Sequence, residues 1–93
     1  MKGVIYLYII GVYDISENRV NKVKKVFDKY LDRCQNSVYQ GELSHAEYAK
    51  LKKELKKKIS QDMDSVIFFT FASKKYRNKE VLGIEKNEET NIL

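Results

Sequence analysis

Two apolar runs and two amphipathic stretches divide the chain into alternating strands and helices. Val4–Tyr13 is rich in Val, Ile and Tyr and shows no polar alternation, which predicts a strand buried on both faces. One face must meet helices, and the other face also needs a cover, although the chain has no elements left for a second layer. The pattern therefore predicts a homodimer packed sheet to sheet. Ser65–Phe71 is apolar in the same way and predicts a second buried strand.

Two stretches carry helical periodicity. After the cap-type residues Ser16–Asn18, one apolar stripe predicts a helix to about Leu31. Ser44-His45-Ala46-Glu47 is a capping box, because the serine oxygen can accept from a free amide while the glutamate reaches back to another. The helix that it opens is predicted to end at about Ile59. The outer faces of both helices carry lysines, namely Lys22, Lys25, Lys29, Lys50, Lys53, Lys56 and Lys57.

The remaining segments are less regular. Arg33–Leu43 is typical of extended backbone, with Gly41 marking a bulge or a tight bend, and the pattern leaves open one bent strand or a hairpin. Ala72–Glu80 predicts a basic loop and Val81–Ile84 a short strand. The last residues, 85–93, predict a tail whose terminal Ile-Leu favours an edge pairing, for example on the partner subunit.

The order β-α-β(β)-α-β-β, with both helices on one face, predicts an α+β fold. It is the ferredoxin-like βαββαβ sandwich with an extra C-terminal strand, assembled as a sheet-to-sheet homodimer. Right-handed crossovers would place the first strand and Ser65–Phe71 side by side in the centre. We expect residues 1–84 to form the domain and 85–93 the tail.

Composition narrows the partners and the compartment. The 93 residues suffice for one domain with a thin core, and the net charge of +5 favours an anionic partner, first nucleic acid and then a membrane surface. The single Cys34 and single His45 exclude an intrachain disulfide and a cysteine- or histidine-based metal site. The run Val4–Val12 is too short to span a bilayer and lacks a cleavage site, so we expect a cytoplasmic protein with no membrane partner.

The candidate chemistry begins where the first strand ends in a single carboxylate, Asp14. An acid at a strand end, beside a helix that opens with the cation Arg19, can hold a metal ion or meet a phosphate. The alternative is that Asp14 only caps the loop or the helix. Four cations around Tyr76 predict either a phosphate clamp with a ring for stacking or a solvated connector, and these cations are Lys74, Lys75, Arg77 and Lys79.

Three pieces of sequence together resemble one known family. They are Tyr13-Asp14-Ile15 with Arg19, then Arg33-x-Gln35-x-Ser37-Val38-Tyr39-x-Gly41-x-Leu43, and finally Asp64-Ser65-Val66 with Val81-Leu82-Gly83. From about Tyr8 to Gly83 the chain resembles CRISPR-associated protein two, the small dimeric subunit of the spacer-acquisition machinery. Tyr39 stands where phenylalanine is common in that family.

The resemblance implies a ferredoxin-like homodimer with metal-dependent nuclease activity in some members and an architectural role in others. In the architectural role, the dimer bridges two pairs of the CRISPR integrase subunit and holds the double-stranded DNA to be inserted. Carried over by motif, the resemblance makes Asp14 the metal ligand and makes both Asp14 and the flanking Tyr13 catalytic residues. It assigns nucleic-acid contacts to Arg19, Arg33, Ser37 and Tyr39.

Three functions are compatible with these residues. The first is an endonuclease dependent on Mg²⁺ (or Mn²⁺), in which two copies of Asp14 across a dimer axis hold one ion together with waters. The second is a non-catalytic DNA-binding scaffold, which needs only the basic surface and the dimer. The third is a stand-alone ribonuclease of the toxin type, and single-stranded RNA is a further candidate ligand. The sequence does not separate the first two functions, nor RNA from DNA.

Overall fold

The computed structural model describes residues 5–73 and 76–86. The elements, in chain order, are β1 (Tyr6–Asp14), α1 (Glu17–Asp28), β2 (Asp32–Gln35), β3 (Val38–Ser44), α2 (His45–Lys56), β4 (Ser65–Ser73) and β5 (Tyr76–Gly83). In the described part, neither helix is long and apolar enough to cross a membrane.

The described strands form one antiparallel sheet in the order β2-β3-β1-β4-β5. Central β1 pairs with β3 on one side and β4 on the other, so that Gly11 lies opposite both Tyr39 and Phe68. Two β-α-β units interleaved in this way make the ferredoxin-like sandwich. The predicted α+β class is therefore confirmed, as is the placement of the first strand beside the strand that begins at Ser65.

The core lies on one face of the sheet, under the two helices. Phe27 of α1 and Leu51 and Leu55 of α2 are fully buried in one cluster with Ile9 and Phe68 of the sheet. Burying one such side chain contributes about 1.5–3 kcal/mol to folding. This single layer of contacts is therefore the main source of stability in the chain.

Within the chain, β1 is covered on one face only. Leu7, Ile9 and Tyr13 are buried on the helix side, whereas Tyr6 and Tyr8 are exposed on the other side. Successive side chains of a strand point to opposite faces, so the uninterrupted apolar run supplies two different surfaces. Within the single chain, burial of β1 is therefore one-sided. The cover of the open face by a second subunit stays a prediction.

Both helices end about three residues earlier than the sequence predicts. Leu31 and Ile59 follow the helix ends in turns and are nevertheless buried. The apolar periodicity continued past each helix because these turns pack on the same core. The capping box is confirmed, with the Glu47 amide donating to Ser44 Oγ at 3.1 Å and the Ser44 amide donating to Glu47 Oε1 at 2.8 Å.

The segment after α1 is a hairpin of β2 and β3. Ser37 in its turn has φ 67°, a left-handed conformation that is uncommon for a residue with a Cβ. The register shifts within β2, so the bulge lies there. Gly41 pairs regularly with Ile9, and the prediction of a bulge or bend at this glycine is wrong. A Cβ at Gly41 would instead lie 3.1 Å from Leu31 Cδ2, so the glycine makes room for that side chain.

The basic segment predicted as a loop is largely strand. β4 continues to Ser73 and β5 begins at Tyr76, so Arg77 and Lys79 lie in a ladder with β4. The loop prediction for Ala72–Glu80 is therefore wrong for these strand residues. Arg77 and Lys79 alternate with other residues along an edge strand, and this strand pairs with β4 from Tyr76 to Gly83.

Some predictions fall on residues outside the described ranges. These are the predicted nucleic-acid contacts of Lys74 and Lys75, the start of the predicted first strand at Val4, and positions 87–93 of the tail. The division of the chain at residue 84 into a domain and a tail likewise stays a prediction.

Candidate functional site

Asp14 lies at the end of β1, on the sheet face that points away from the helices. Its neighbour Tyr13 points into the core, so strand alternation places Asp14 on the opposite face. The Asp14 side chain is 63% exposed and lines a cleft of about 350 Å³. Helix α1 has Ser16 as its N-cap, so Asp14 does not cap that helix. The carboxylate is accessible to a ligand.

Two serines line the same cleft. Ser65 lies opposite Asp14 in the pairing of β1 with β4. Ser37 comes from the β2–β3 turn, where its carbonyl oxygen accepts a 3.0 Å hydrogen bond from the Tyr13 amide. The left-handed turn thereby brings Ser37, a residue predicted from the sequence, to the cleft of Asp14.

Lys86 is a cation at this cleft that the sequence analysis missed. Its Nζ lies 3.6 Å from Asp14 Oδ2 and donates a long, 3.4 Å hydrogen bond to the Asp14 carbonyl oxygen. Residues 85–93 were predicted to be a tail, and one lysine among glutamates is a weak signal. Only the return of the chain from β5 past the end of β1 brings the two groups together.

Arg19 is held by a buried carboxylate, Asp64, which belongs to the family motif but had no predicted role. Arg19 Nε donates to Asp64 Oδ2 at 2.6 Å and Nη2 donates to Oδ1 at 3.0 Å. The amides of Ser16 and Ser60 donate to the same carboxylate at 3.0 and 2.8 Å. Foremost the Arg19 bond, and then these amides, hold the pKa of Asp64 well below its usual range, against the opposing effect of burial.

This pairing changes what can be expected of Arg19. Its side chain is 22% exposed, and its guanidinium makes a forked contact with Asp64 inside the protein. The predicted contact of Arg19 with nucleic acid stays a prediction, and it would have to use the remaining face of the guanidinium. An acid just before a buried strand was the sequence signal for Asp64, but nothing in the spacing linked it to Arg19.

Tyr13 and Tyr39 belong to an aromatic stack in the core. The rings of Tyr39 and Phe27 are stacked with centroids 4.7 Å apart, and Tyr13 stacks on Phe27 at 5.7 Å. Tyr39 is 1% exposed and its hydroxyl donates to Asp28 Oδ1 at 2.8 Å. Burial, followed by this hydrogen bond, raises the pKa of Tyr39. The predicted functional roles of both tyrosines stay predictions, and the structure shows them packing.

The other predicted cations lie elsewhere on the sheet. Arg33 is exposed on β2, where Nη2 donates to Asn36 Oδ1 at 2.7 Å. Arg77 lies over the Phe69 ring at 5.5 Å, and Lys79 pairs with Glu85. The register separates Arg77 from the end of the sheet that holds Asp14 by roughly 20 Å. Of the predicted nucleic-acid contacts that fall within residues 5–73 and 76–86, only Ser37 lines the Asp14 cleft.

A second charged surface, which we call the α1–α2 groove, lies between the helices. It is lined by Lys22, Lys25, Val26, Lys29, Glu54 and Lys58. Glu54 accepts hydrogen bonds from Lys29 and Tyr30, and the Lys29 bond is the main cause of its lowered pKa. Among the described residues, no carboxylate lies within ion-pair distance of the other three lysines. The groove is therefore positively charged.

The donor set at Asp14 is too small for a metal site within one chain. The described residues contain no cluster of three or more His, Cys, Asp or Glu side chains suited to a metal ion. Asp14 is a single carboxylate with an ammonium group 3.6 Å away. Mg²⁺ requires near-octahedral oxygen coordination, although it retains waters readily. Within the described part of one chain, Asp14 is therefore the one carboxylate that the cleft offers to a metal ion.

Comparison with known proteins points to one family along most of the chain. The family model described as CRISPR associated protein Cas2 matches residues 7–79. The chain is 44% identical over 87 residues to "CRISPR-associated endoribonuclease Cas2" of Dictyoglomus turgidum, covering 94% of this chain and 100% of the relative. It is 48% identical over 83 residues to the protein of the same name from Thermotoga maritima, covering 89% and 95% of the two chains.

A solved structure agrees with the sequence comparison. The structure titled "Crystal structure of cas2" matches with a TM-score of 0.71 and 38% identity, covering 95% of this chain and 99% of the other. The family match over residues 7–79 includes every residue that lines the Asp14 cleft except Lys86, and it includes both members of the Arg19–Asp64 pair. The chain therefore belongs to the CRISPR-associated Cas2 family.

Proposed function

We propose that this chain is a CRISPR-associated endonuclease that cleaves phosphodiester bonds at Asp14. The observation that carries the proposal is the exposed Asp14 carboxylate at the end of β1, in a cleft that also contains Ser37 and the cation Lys86. Several relatives along the full chain are named endoribonucleases, which makes RNA the first substrate class to test.

The groups in the cleft suit phosphodiester chemistry. A scissile phosphate carries negative charge that grows in the transition state, and the Lys86 ammonium is placed to attract it. The Asp14 carboxylate can orient an attacking water or the 2′-hydroxyl of RNA, and the Ser37 hydroxyl offers a hydrogen-bond donor. These roles require Lys86 to leave Asp14 for the phosphate, which the long 3.6 Å contact permits.

We further propose that two chains complete the site. Asp14 is on the open face of the sheet, where the exposed Tyr6 and Tyr8 leave apolar surface for a second copy. Sheet-to-sheet packing on this face would bring two Asp14 carboxylates toward one axis, and Mg²⁺ or Mn²⁺ held between them would supply Lewis-acid polarisation of the phosphate. A monomer at micromolar concentration in size-exclusion chromatography with light scattering would exclude this arrangement.

A second candidate function is a non-catalytic DNA-binding scaffold for spacer acquisition, bridging copies of the CRISPR integrase subunit. The α1–α2 groove favours it, because its unpaired lysines can follow a phosphate backbone without reading sequence. The presence of one carboxylate per cleft also suits a protein that binds without cutting.

A stand-alone ribonuclease of the toxin type would share the Asp14 cleft with the CRISPR-associated endonuclease. An integrase gene beside the gene for this chain would favour the acquisition role over the toxin role.

The deciding experiment compares cleavage of labelled single-stranded RNA and duplex DNA by wild type and Asp14→Asn, with Mg²⁺, with Mn²⁺ and with EDTA. Asp62→Asn is the matched control, because Asp62 is an exposed carboxylate in the turn before β4. Cleavage that needs Asp14 and a divalent ion but not Asp62 supports the nuclease. Equal binding by all three proteins with no cleavage above background would reject the nuclease in favour of the scaffold.

A further inference from the structure

We propose that Asp64 positions the catalytic carboxylate: its side chain, paired with Arg19, holds the segment that carries Asp14 against the start of β4, and its backbone holds the segment that carries Lys86 there. The inference rests on the proposed nuclease function for its catalytic consequence. Its structural part, the restraint of the two segments by Asp64, can be measured without any cleavage.

Each carboxylate oxygen of Asp64 accepts two hydrogen bonds. Oδ1 accepts from the Ser16 amide and from Arg19 Nη2, both at 3.0 Å, and Oδ2 accepts from Arg19 Nε at 2.6 Å and the Ser60 amide at 2.8 Å. The side chain has no solvent exposure. Four bonds on one carboxylate fix its orientation, so the groups that donate to it are fixed as well.

One of these bonds restrains the Asp14 segment. Ser16 follows Asp14 by two residues and is the N-cap of α1, and its side chain makes no capping hydrogen bond. Its amide is instead bound by Asp64, and Arg19 in the first turn of α1 is bound by the same carboxylate. On its other side, Asp14 is in register with Ser65, the residue after Asp64. Asp14 therefore lies between two attachments to the beginning of β4.

The backbone of Asp64 restrains the Lys86 segment. Its carbonyl oxygen accepts a 2.9 Å hydrogen bond from the amide of Ile84, two residues before Lys86. Gly83 allows this approach, because its φ is +80° and a Cβ there would lie 2.0 Å from the same oxygen. One residue, Asp64, thus holds both members of the Asp14–Lys86 contact, by its side chain on one side and by its backbone on the other.

Stability alone is a weak reason for such a pair. Replacing a buried ion pair by well-packed apolar residues is often neutral or stabilising, because desolvation offsets the attraction between the charges. Apolar side chains, however, could not bind the Ser16 amide or hold Arg19 in a forked contact. An apolar pair would lack these directional hydrogen bonds, and it is these bonds that fix the position of the cleft residues.

The test uses Asp64→Asn and the milder Arg19→Lys, which keeps the charge but loses the fork. The control is Glu80→Gln, which disrupts the Lys52–Glu80 ion pair on the helix side of the sheet. Amide hydrogen exchange is followed at Ser16 and Ile84, and kcat and KM are measured on the substrate that wild type cleaves. The Asp14→Asn/Asp64→Asn double variant closes a mutant cycle.

We expect at least tenfold faster exchange at Ser16 in both pair variants relative to the control. For cleavage, we expect kcat to fall about 10–100-fold with little change in KM, and no further loss from Asp64→Asn in the Asp14→Asn background. If Asp64→Asn does not fold, Arg19→Lys decides by the same measurements.

Unchanged exchange at Ser16 in a folded pair variant would overturn the inference, as would losses of kcat that add fully to those of Asp14→Asn. If wild type does not cleave at all, the proposed function fails, and the exchange at Ser16 still decides whether the pair holds the segment that carries Asp14.

Discussion

Tyr13 and Asp14 are adjacent in the chain and lie on opposite faces of the sheet. The Tyr13 ring is 6% exposed and stacks on Phe27, whereas the Asp14 side chain is 63% exposed at the cleft. The side chains of two residues that the family resemblance places together at a catalytic centre therefore point to opposite faces of the sheet, although Tyr13 is also among the residues that line the cleft. Substituting Tyr13 and Asp14 separately therefore tests which of the two takes part in catalysis.

Tyr13→Phe removes the hydroxyl and keeps the ring. Because the ring packs on the core side, we expect kcat within about twofold of wild type and little change in the free energy of unfolding. Cleavage assays beside Asp14→Asn measure this. A folded Tyr13→Phe protein with a loss of kcat comparable to that of Asp14→Asn would assign chemistry to the phenol and contradict the packing role.

Tyr39→Phe tests the second core tyrosine. The substitution keeps the stack on Phe27 but removes the 2.8 Å hydrogen bond to Asp28. We expect the free energy of unfolding in urea to fall by about 1 kcal/mol while the affinity for labelled RNA stays unchanged. Tyr30→Phe, which removes a hydroxyl that donates to Glu54, is the matched control. A weaker affinity without loss of stability would instead favour base contact by Tyr39.

Asp64 should make stability depend on pH in the acid range. The pKa of Asp64 is lowered in the folded protein. Its contribution to the free energy of unfolding is therefore complete above the ordinary carboxyl pKa of about 3.9, and it is lost as the pH falls toward the lower pKa of the folded protein. We expect Asp64→Asn to lower the free energy of unfolding by about 3 kcal/mol at pH 7. The difference from wild type should narrow progressively below about pH 4.

Urea unfolding monitored by circular dichroism between pH 7 and 3 measures this difference. Asp62→Asn, on an exposed neighbour in the same turn, should stay within about 0.5 kcal/mol of wild type at each pH. A constant difference between wild type and Asp64→Asn across the range would mean that the carboxylate charge is not what stabilises this region.

Lysines of the α1–α2 groove should contribute to the salt dependence of nucleic-acid binding. We expect Lys22→Gln/Lys25→Gln to reduce the slope of log affinity against log salt by about 0.7–0.9 for each phosphate that a lysine no longer neutralises. Lys52→Gln is the control, since Lys52 is already paired with Glu80 and lies over the Tyr48 ring. Fluorescence anisotropy across a KCl series measures the slope, and equal slopes for all proteins would place binding on another surface.

Any side chain at Gly83 should lower the stability of the protein. Its φ of +80° is unfavourable for other residues, and a Cβ would lie 2.0 Å from the Asp64 carbonyl oxygen. We expect Gly83→Ala to lower the free energy of unfolding by about 2–3 kcal/mol, because the end of β5 must move away from the start of β4. Urea titration beside the exposed control Ile84→Ala measures this, and a change below that of the control would contradict the close approach.

Much of the fold follows from local patterns. Apolar runs with β-branched and aromatic residues identified β1 and β4, and the capping box at Ser44 identified the start of α2. The element order then led to the ferredoxin-like sandwich. The errors occurred where local pattern and tertiary contact diverge: turn residues such as Leu31 and Ile59 kept helical spacing because they join the core, and the cations of β5 concealed an edge strand.

In the candidate site, too, some features follow from local sequence and others from tertiary contacts. The sequence by itself determined that a lone carboxylate, Asp14, ends the first strand, and its motif led to the family. Only the tertiary structure decided which residues surround it: Ser37 through a left-handed turn, Lys86 through the path of the chain after β5, and Asp64 as the acceptor for Arg19. The physical reason is that ion pairs and clefts join residues distant in the chain, here Arg19 with Asp64 and Asp14 with Lys86, and local periodicity carries no information about such distances.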